Sequence, residues 1–269
     1  MELTIAGEAA FVYTGGRPFD LALPVAVFIH GAGNDHSVWN FQARALAHHG
    51  FSMVAPDLPG HGRSGGAPPA TIEACASWIG QLLDALGVAR AALIGHSMGS
   101  LIALQAAAQA PARTTGLVLV GSVAPMPVAD PLREAARDRP DAAHAMINQW
   151  SYTPRAYLGA SATPGVFLPA LNRQLMAHQA EGVLAADLAA CHAYQGGLAA
   201  AGAVRCPTLM LCGERDQMTP RKAAVPLFEA LVDVASGARM MIVPRAGHAL
   251  MSEAPDAVSD AIRAFLSDA

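Results

Sequence analysis

Charge is scarce in this 269-residue chain: Asp, Glu, Lys and Arg together make up 14% of it, with 17 Lys+Arg against 21 Asp+Glu. No basic run and no basic stripe interleaved with aromatics occurs, so neither nucleic acid nor an anionic membrane surface is an expected partner. A small neutral molecule fits better. Cysteine is also sparse. Cys75, Cys191, Cys206 and Cys212 lie in apolar surroundings without Cys-x-x-Cys spacing, which predicts reduced, buried thiols and no metal site. Met1 to Gly16 lacks the charged start, apolar stretch and cleavage pattern of a secretory leader, so a cytosolic protein is expected. No tandem repeat or linker divides the chain, and its length suits one large α/β domain with an insertion.

One stretch without charge is long enough to mislead. Ala91 to Ala112 contains no Asp, Glu, Lys or Arg and includes Gly95-x-x-x-Gly99, the look of a membrane helix with a dimerisation face. His96, Ser97, Ser100, Gln105, Gln109 and Pro111 interrupt it, and the two glycines divide it into a short strand and a buried helix. No membrane span is expected.

What the stretch does contain is Gly95-His96-Ser97-Met98-Gly99, placed between a strand-like run (Ala91–Ile94) and a helix-like run (Leu101–Ala110). A serine flanked at two residues on each side by glycine can sit on a sharp strand-to-helix bend with its hydroxyl exposed. The helix beyond it would point free N–H groups and a positive dipole end at whatever the serine attacks.

The rest of the chain reads as strands alternating with helices. Residues 3–13 read as a strand, and Val25–Ile29 as a fully buried one ending in His30-Gly31-Ala32-Gly33, whose bracketing glycines leave backbone N–H groups free. Ser37–His49 and Thr71–Leu86 have helical spacing and stop at Gly50 and Gly87. Phe51–Ala55, Leu117–Gly121, Thr208–Cys212 and Arg239–Val243 read as further strands, and Pro255–Ser267 as a closing helix. Gly60-x-Gly62-x-x-Gly65, with Asp84 further on, has the form of a dinucleotide fingerprint. Pro68 and Pro69 follow where the receiving helix should run, and Asp84 falls within a helical pattern, so no cofactor is expected. From 125 to 202 no strand is convincing. Helix-like pieces at Pro131–Trp150, Leu168–Ala180 and Val183–Tyr194 mark this stretch as an inserted cap, dividing 1–124 and 203–269 from 125–202. Met126, Trp150, Tyr152 and Tyr194, with His30 and Gly31, are the candidate substrate-contacting residues.

A serine hydroxyl needs a base, and the base needs an acid to hold its tautomer. In open parallel sheets such groups collect beyond the carboxyl ends of the strands. Ser97, Asp216 and His248 each follow such an end, in the order expected of a serine on this kind of turn. Glu214 is the competitor for the acid. Met98 and Ala32 are the candidate oxyanion donors through their backbone N–H groups.

These pieces, together with Asp57-x-x-Gly60-x-Gly62-x-Ser64, Gly213-Glu214-Arg215-Asp216 before Pro220, and Gly247-His248, give a chain that resembles capped, esterase-like α/β-hydrolases over nearly its whole length. The resemblance implies an eight-stranded, mostly parallel sheet with helices on both faces, an inserted helical cap and a Ser-Asp-His triad. Epoxide hydrolases and haloalkane dehalogenases of this scaffold resemble it with an aspartate where this chain has Ser97, and are disfavoured. Carbon–carbon bond hydrolases, lactonases, thioesterases, acyltransferases and perhydrolases keep the serine. Hydrolysis of an uncharged small-molecule ester of small to medium size is the expectation, with a slow or non-catalytic ligand receptor as the contrasting class. Nothing in the sequence bears on oligomeric state.

Overall fold

The computed structural model describes residues 1–159, 161, 165–231 and 237–268. Eight strands form one sheet in the order β1-β2-β4-β3-β5-β6-β7-β8: β1 Glu2–Ile5, β2 Glu8–Tyr13, β3 Val25–Ile29, β4 Ser52–Pro56, β5 Ala91–His96, β6 Thr114–Val120, β7 Thr208–Gly213 and β8 Ala238–Val243. The first two are antiparallel neighbours, β2 runs antiparallel to β4, and every pairing beyond β4 is parallel. The central strands β3, β4, β5 and β7 are buried along their whole length, which is why they read as continuous apolar runs.

The helices are α1 Asn40–Ala47, α2 Ile72–Ala85, α3 Met98–Gln109, α4 Asp130–Asp138, α5 Pro140–Ser151, α6 Pro154–Tyr157, α7 Leu168–Ala177, α8 Val183–Ala193, α9 Gly197–Ala203, α10 Arg221–Leu231, α11 Leu250–Glu253 and α12 Pro255–Asp268. On one face of the sheet α2, α3, α9 and α10 bury Ile79, Leu82, Leu101, Ala201 and Leu227 in a common core. On the other, α1, α11 and α12 bury Leu46, Leu250, Ile262 and Phe265. The local signals explain the ends: the Thr71 side chain accepts the Ala74 N–H at 3.1 Å to cap α2, and Gly87 at φ +68° follows its last turn.

The structure departs from the sequence reading in places with physical causes. Residues 3–13 are two strands, because Ala6 and Gly7 both take positive φ (51° and 88°) and make the tight turn of a hairpin. Pro131–Trp150 is two helices, broken at Arg139, whose position before Pro140 disfavours helical backbone and which sits at φ −150°. The membrane-like run divides at Ser97 into β5 and α3, and among the described residues no helix is long and apolar enough to cross a membrane.

Between β6 and β7 the described residues form helices α4–α9 and no strand. Residues 160 and 162–164 of the expected cap lie outside the described residues. Helices α4, α5, α7 and α8 enclose a core of their own (Leu132, Ala143, Ile147, Met176, Leu188), whereas α9, at the end of the expected 125–202 insertion, packs on α3 and α10 of the body.

Candidate active site

Ser97 leaves β5 at φ +53°, ψ −119°, and α3 starts at the next residue. A non-glycine residue there is strained and persists only where its surroundings hold it. They do: the Ser97 N–H donates to Val120 O at 2.9 Å, and Ser100 Oγ donates to Ser97 O at 2.5 Å. A Cβ on Gly95 would strike the carbonyl of Gly99, and one on Gly99 would strike the carbonyls of Ile29 and His30. The two glycines therefore let β5, α3 and the end of β3 touch backbone to backbone and drive the serine outward.

Asp216 follows β7 and His248 follows β8. Asp216 Oδ2 lies 2.9 Å from His248 Nδ1, and its Oδ1 accepts the N–H groups of Met218 and Thr219, both at 2.8 Å. Both residues are buried, at 5% and 3% exposure. Burial alone would raise the Asp216 carboxyl, but the charge and hydrogen bond of His248 with the two Thr219 bonds hold it well below the usual carboxylate range. His248 Nδ1 is thus the ring nitrogen that faces the Asp216 carboxylate. Glu214, the competing acid, is exposed, and its Oε2 accepts the Arg245 N–H at 2.7 Å.

Ser97, His248, Gly31 and Ala32 line one cavity of about 370 Å³. As the first residue of α3, Met98 has no helical acceptor for its N–H. The Ala32 N–H, in the turn after β3, likewise meets no acceptor among the described residues. The far wall comes from the helices between β6 and β7: Leu132, Ile147, Trp150, Asn172 and Leu188, with Met126 and Tyr152 beside them.

Two expected contacts are corrected. His30 lies wholly buried behind the turn, where Nε2 accepts the Leu58 N–H at 3.1 Å and Nδ1 donates to Gly31 O at 2.9 Å. It does not line the cavity, because those bonds turn its ring into the body; burial and the neighbouring His61 pull it down to about 4 and keep it neutral. Tyr194 caps α8 on the side away from the cavity, its hydroxyl donating to Gln105 Oε1 at 2.6 Å. Its ring fills the body core.

Thr219 went unnoticed in the sequence. Its hydroxyl donates to Asp216 Oδ2 at 2.7 Å and sits 3.1 Å from His248 Nδ1. The signal was there in Asp216-Gln-Met-Thr219-Pro220, since an Asp two and three residues before free N–H groups closes a local turn. His96, between the glycines, donates from Nε2 to His248 O at 2.9 Å, and its ring lies 4.7 Å from the His248 ring, tilted by 47°. Burial, with His248 adding to it, lowers His96 to about 3.

Asp35, His36 and Asp57 bring possible metal-ligand atoms within 4.8 Å of one another. The Asp57 oxygens are already engaged, by His36 Nδ1 at 2.7 Å, His36 N–H at 2.8 Å and Arg63 N–H at 2.9 Å. That carboxylate fastens the turn after β4, the role of the Asp57-x-x-Gly60 motif.

Residues 24–255 match the sequence profile of a family described as alpha/beta hydrolase fold. The chain belongs to the alpha/beta hydrolase family. Among curated relatives, RutD of Variovorax paradoxus (strain S110), named provisionally as a carbamate hydrolase, is 31% identical over 81% of this chain and 82% of its own. Other relatives match over 36% and 37% of this chain, which spans only 26% and 29% of their length. Among solved structures, the enol-lactonase from Burkholderia xenovorans LB400 superposes with a TM-score of 0.86 at 24% identity, covering 99% of this chain and 100% of that one. A thermophilic esterase from Thermogutta terrifontis superposes with 0.82 at 25% identity, covering 100% and 98%.

Proposed function

We propose that this α/β-hydrolase cleaves carboxylic esters of small to medium, mainly apolar substrates through an acyl-enzyme on Ser97. The observation that carries the reading is the His248–Asp216 hydrogen bond of 2.9 Å at the wall of the cavity that Ser97 enters from its strained turn. In this reading His248 Nε2 takes the hydroxyl proton as Ser97 Oγ attacks the ester carbonyl, and Asp216 stabilises the imidazolium. The N–H groups of Met98 and Ala32 hold the oxyanion. The proton passes to the departing alkoxide; a water deprotonated by His248 then attacks the acyl-serine, and the acid leaves as Ser97 regains its proton.

The lining of the cavity supports this substrate class. Among the described residues it is largely apolar and includes neither Lys nor Arg, which disfavours a dianionic substrate. At about 370 Å³ the cavity sits at the small end of the range of roughly 300–1,000 Å³ for ligand sites. Residues 125–202 serve as the cap over it, and the four buried free thiols favour work in the cytosol. Carbamates, lactones and thioesters share the first step.

The test is intact-protein mass after treatment with a fluorophosphonate, on wild type and Ser97→Ala, beside turnover of aryl esters of increasing acyl length. One adduct lost in the variant, with turnover peaking at one chain length, is the expected result. Wild type that forms no adduct would overturn the hydrolase reading in favour of a ligand receptor.

A further inference from the structure

Asp187 stands in the middle of α8, a helix otherwise apolar through Leu184, Leu188 and Cys191, and is 3% exposed. A carboxylate so placed must be partnered. Its Oδ2 accepts two hydrogen bonds, both of 2.8 Å: one from His61 Nε2 and one from the N–H of Gly33. His61, itself 1% exposed, also donates from Nδ1 to Pro59 O at 3.0 Å. Both ring nitrogens of His61 thus face oxygens, and although burial opposes its charge, the hydrogen bond and charge of Asp187 raise His61 above its ordinary value.

Gly33 closes the turn that holds Ala32, at φ +64°. Nearly everything in that turn is tied down. Gly31 O accepts from His30 Nδ1 at 2.9 Å and from the Asn34 N–H at 3.3 Å. Ala32 O accepts from Asn34 Nδ2 at 3.2 Å. The Gly33 N–H is held by Asp187. The Ala32 N–H, on the residue that lines the cavity, meets no acceptor among the described residues. The body supplies the bonds to the Gly31 and Ala32 carbonyls, and among these bonds of the described residues the one to Asp187 comes from α8.

We propose that Asp187 is a positioning residue for the reaction: by fixing the Ala32–Gly33 peptide plane from the insertion, it sets the aim of the Ala32 N–H at the oxyanion. The inference rests on the acyl-enzyme reading of Ser97. It makes the oxyanion site a joint construction, complete only when α8 is seated on the turn. His61 holds the carboxylate in place and neutralises it, so that the charge beside the site does not oppose the developing oxyanion.

Asp187→Ala is expected to lower kcat for a short aryl ester by on the order of 10- to 100-fold, less than or near the loss of a whole oxyanion donor, with KM within about twofold. Asp187→Asn, whose amide oxygen still accepts the Gly33 N–H, is expected to recover most of that loss. Should Asp187→Ala fail to fold, the double variant His61→Leu/Asp187→Leu decides, because replacing a buried ion pair by apolar residues commonly preserves the fold; it is expected to show the same kcat loss without a matching KM change. A folded Asp187→Ala or double variant with kcat within twofold of wild type overturns the proposal. So does an Asp187→Asn variant no better than Ala, which would mark the carboxylate as support for the fold only. Both of these outcomes leave the Ser97 reading standing as long as wild type forms the fluorophosphonate adduct; wild type without an adduct overturns the two together.

Discussion

Along α8 and at Thr153 the segment between β6 and β7 meets the rest of the chain through buried polar groups, whereas along α6 and α7 it turns large apolar side chains to solvent. On the first side Asp187 reaches Gly33, and Glu253 of the body accepts the Gly247 N–H at 2.6 Å, the Thr153 N–H at 2.9 Å and the Thr153 hydroxyl at 2.6 Å. On the second, Leu158 is 84% exposed and Leu171 53%, with Tyr157 and Phe167 in edge contact beside them. A shallow groove through Gln149, Pro154, Tyr157 and Leu158 shares Tyr152 and Gln217 with the central cavity. The fastened side touches the two loops that carry Ala32 and His248, where small displacements alter reaction geometry. The apolar side touches none of the reacting groups, and under the ester-hydrolase reading it governs only how far a substrate reaches.

The contrast is open to breaking, starting where the effect is greatest. Asp216→Asn is expected to lower kcat by on the order of 10⁴ with the fold intact, because an amide no longer selects the Nδ1–H tautomer of His248; steady-state kinetics on an aryl ester measures it. Next comes Glu253→Ala, which strands three donors. Stability is expected to drop by on the order of 2–4 kcal/mol, and kcat by roughly 10- to 100-fold through drift of the His248 loop. A lowered melting temperature with unchanged kcat would remove Glu253 from the reacting geometry.

The third effect is one of pH. Burial opposes charge on His61, but the hydrogen bond and charge of Asp187 outweigh it and raise His61 above its ordinary value. A raised value in the folded state gives stability that is complete below the unfolded value of about 6.5 and is lost as pH rises through the folded one. The groups around the pair are neutral His30, with its ring 4.9 Å away, Asp57, and the thiols of Cys75 and Cys191, both pushed up by burial, Cys75 to about 12. Melting temperature is therefore expected to fall more steeply on the alkaline side in wild type than in His61→Leu/Asp187→Leu, and parallel profiles would deny the pair its charge. The smallest effect is expected on the apolar side: Leu158→Ser should leave acetate esters unchanged and lower kcat/KM for long acyl chains by about three- to tenfold. Equal losses on short and long chains would place Leu158 nearer the chemistry than its exposure allows.

Much of this was legible in the residues. Buried parallel strands announce themselves as apolar runs, and Gly95, Ser97 and Gly99 have one physical use together, so the sheet and the strained turn could be read directly. Asp216 and His248 followed because strand ends gather at one edge. Side-chain direction was not legible in the same way. His30 and Gly31 are adjacent, yet one faces Leu58 and the other the cavity, and Tyr194 at the end of α8 faces α3 instead of the cavity because a helix end faces two ways. Asp187 did leave a trace: a single acid in an apolar helical run demands a buried partner. Its partners, 126 and 154 residues away in sequence, could not be named without the fold.

Those long-range bonds bear on how such a protein could be recombined. An insertion taken from another alpha/beta hydrolase and set onto this body would bring walls for a new cavity, but it would work only if it also carried an acceptor opposite Gly33 and a hydroxyl or N–H opposite Glu253. These bonds pin the segment where it meets the turn of Ala32 and the His248 loop, and a replacement cut to the same length without them would fold over the cavity and leave both unmoored.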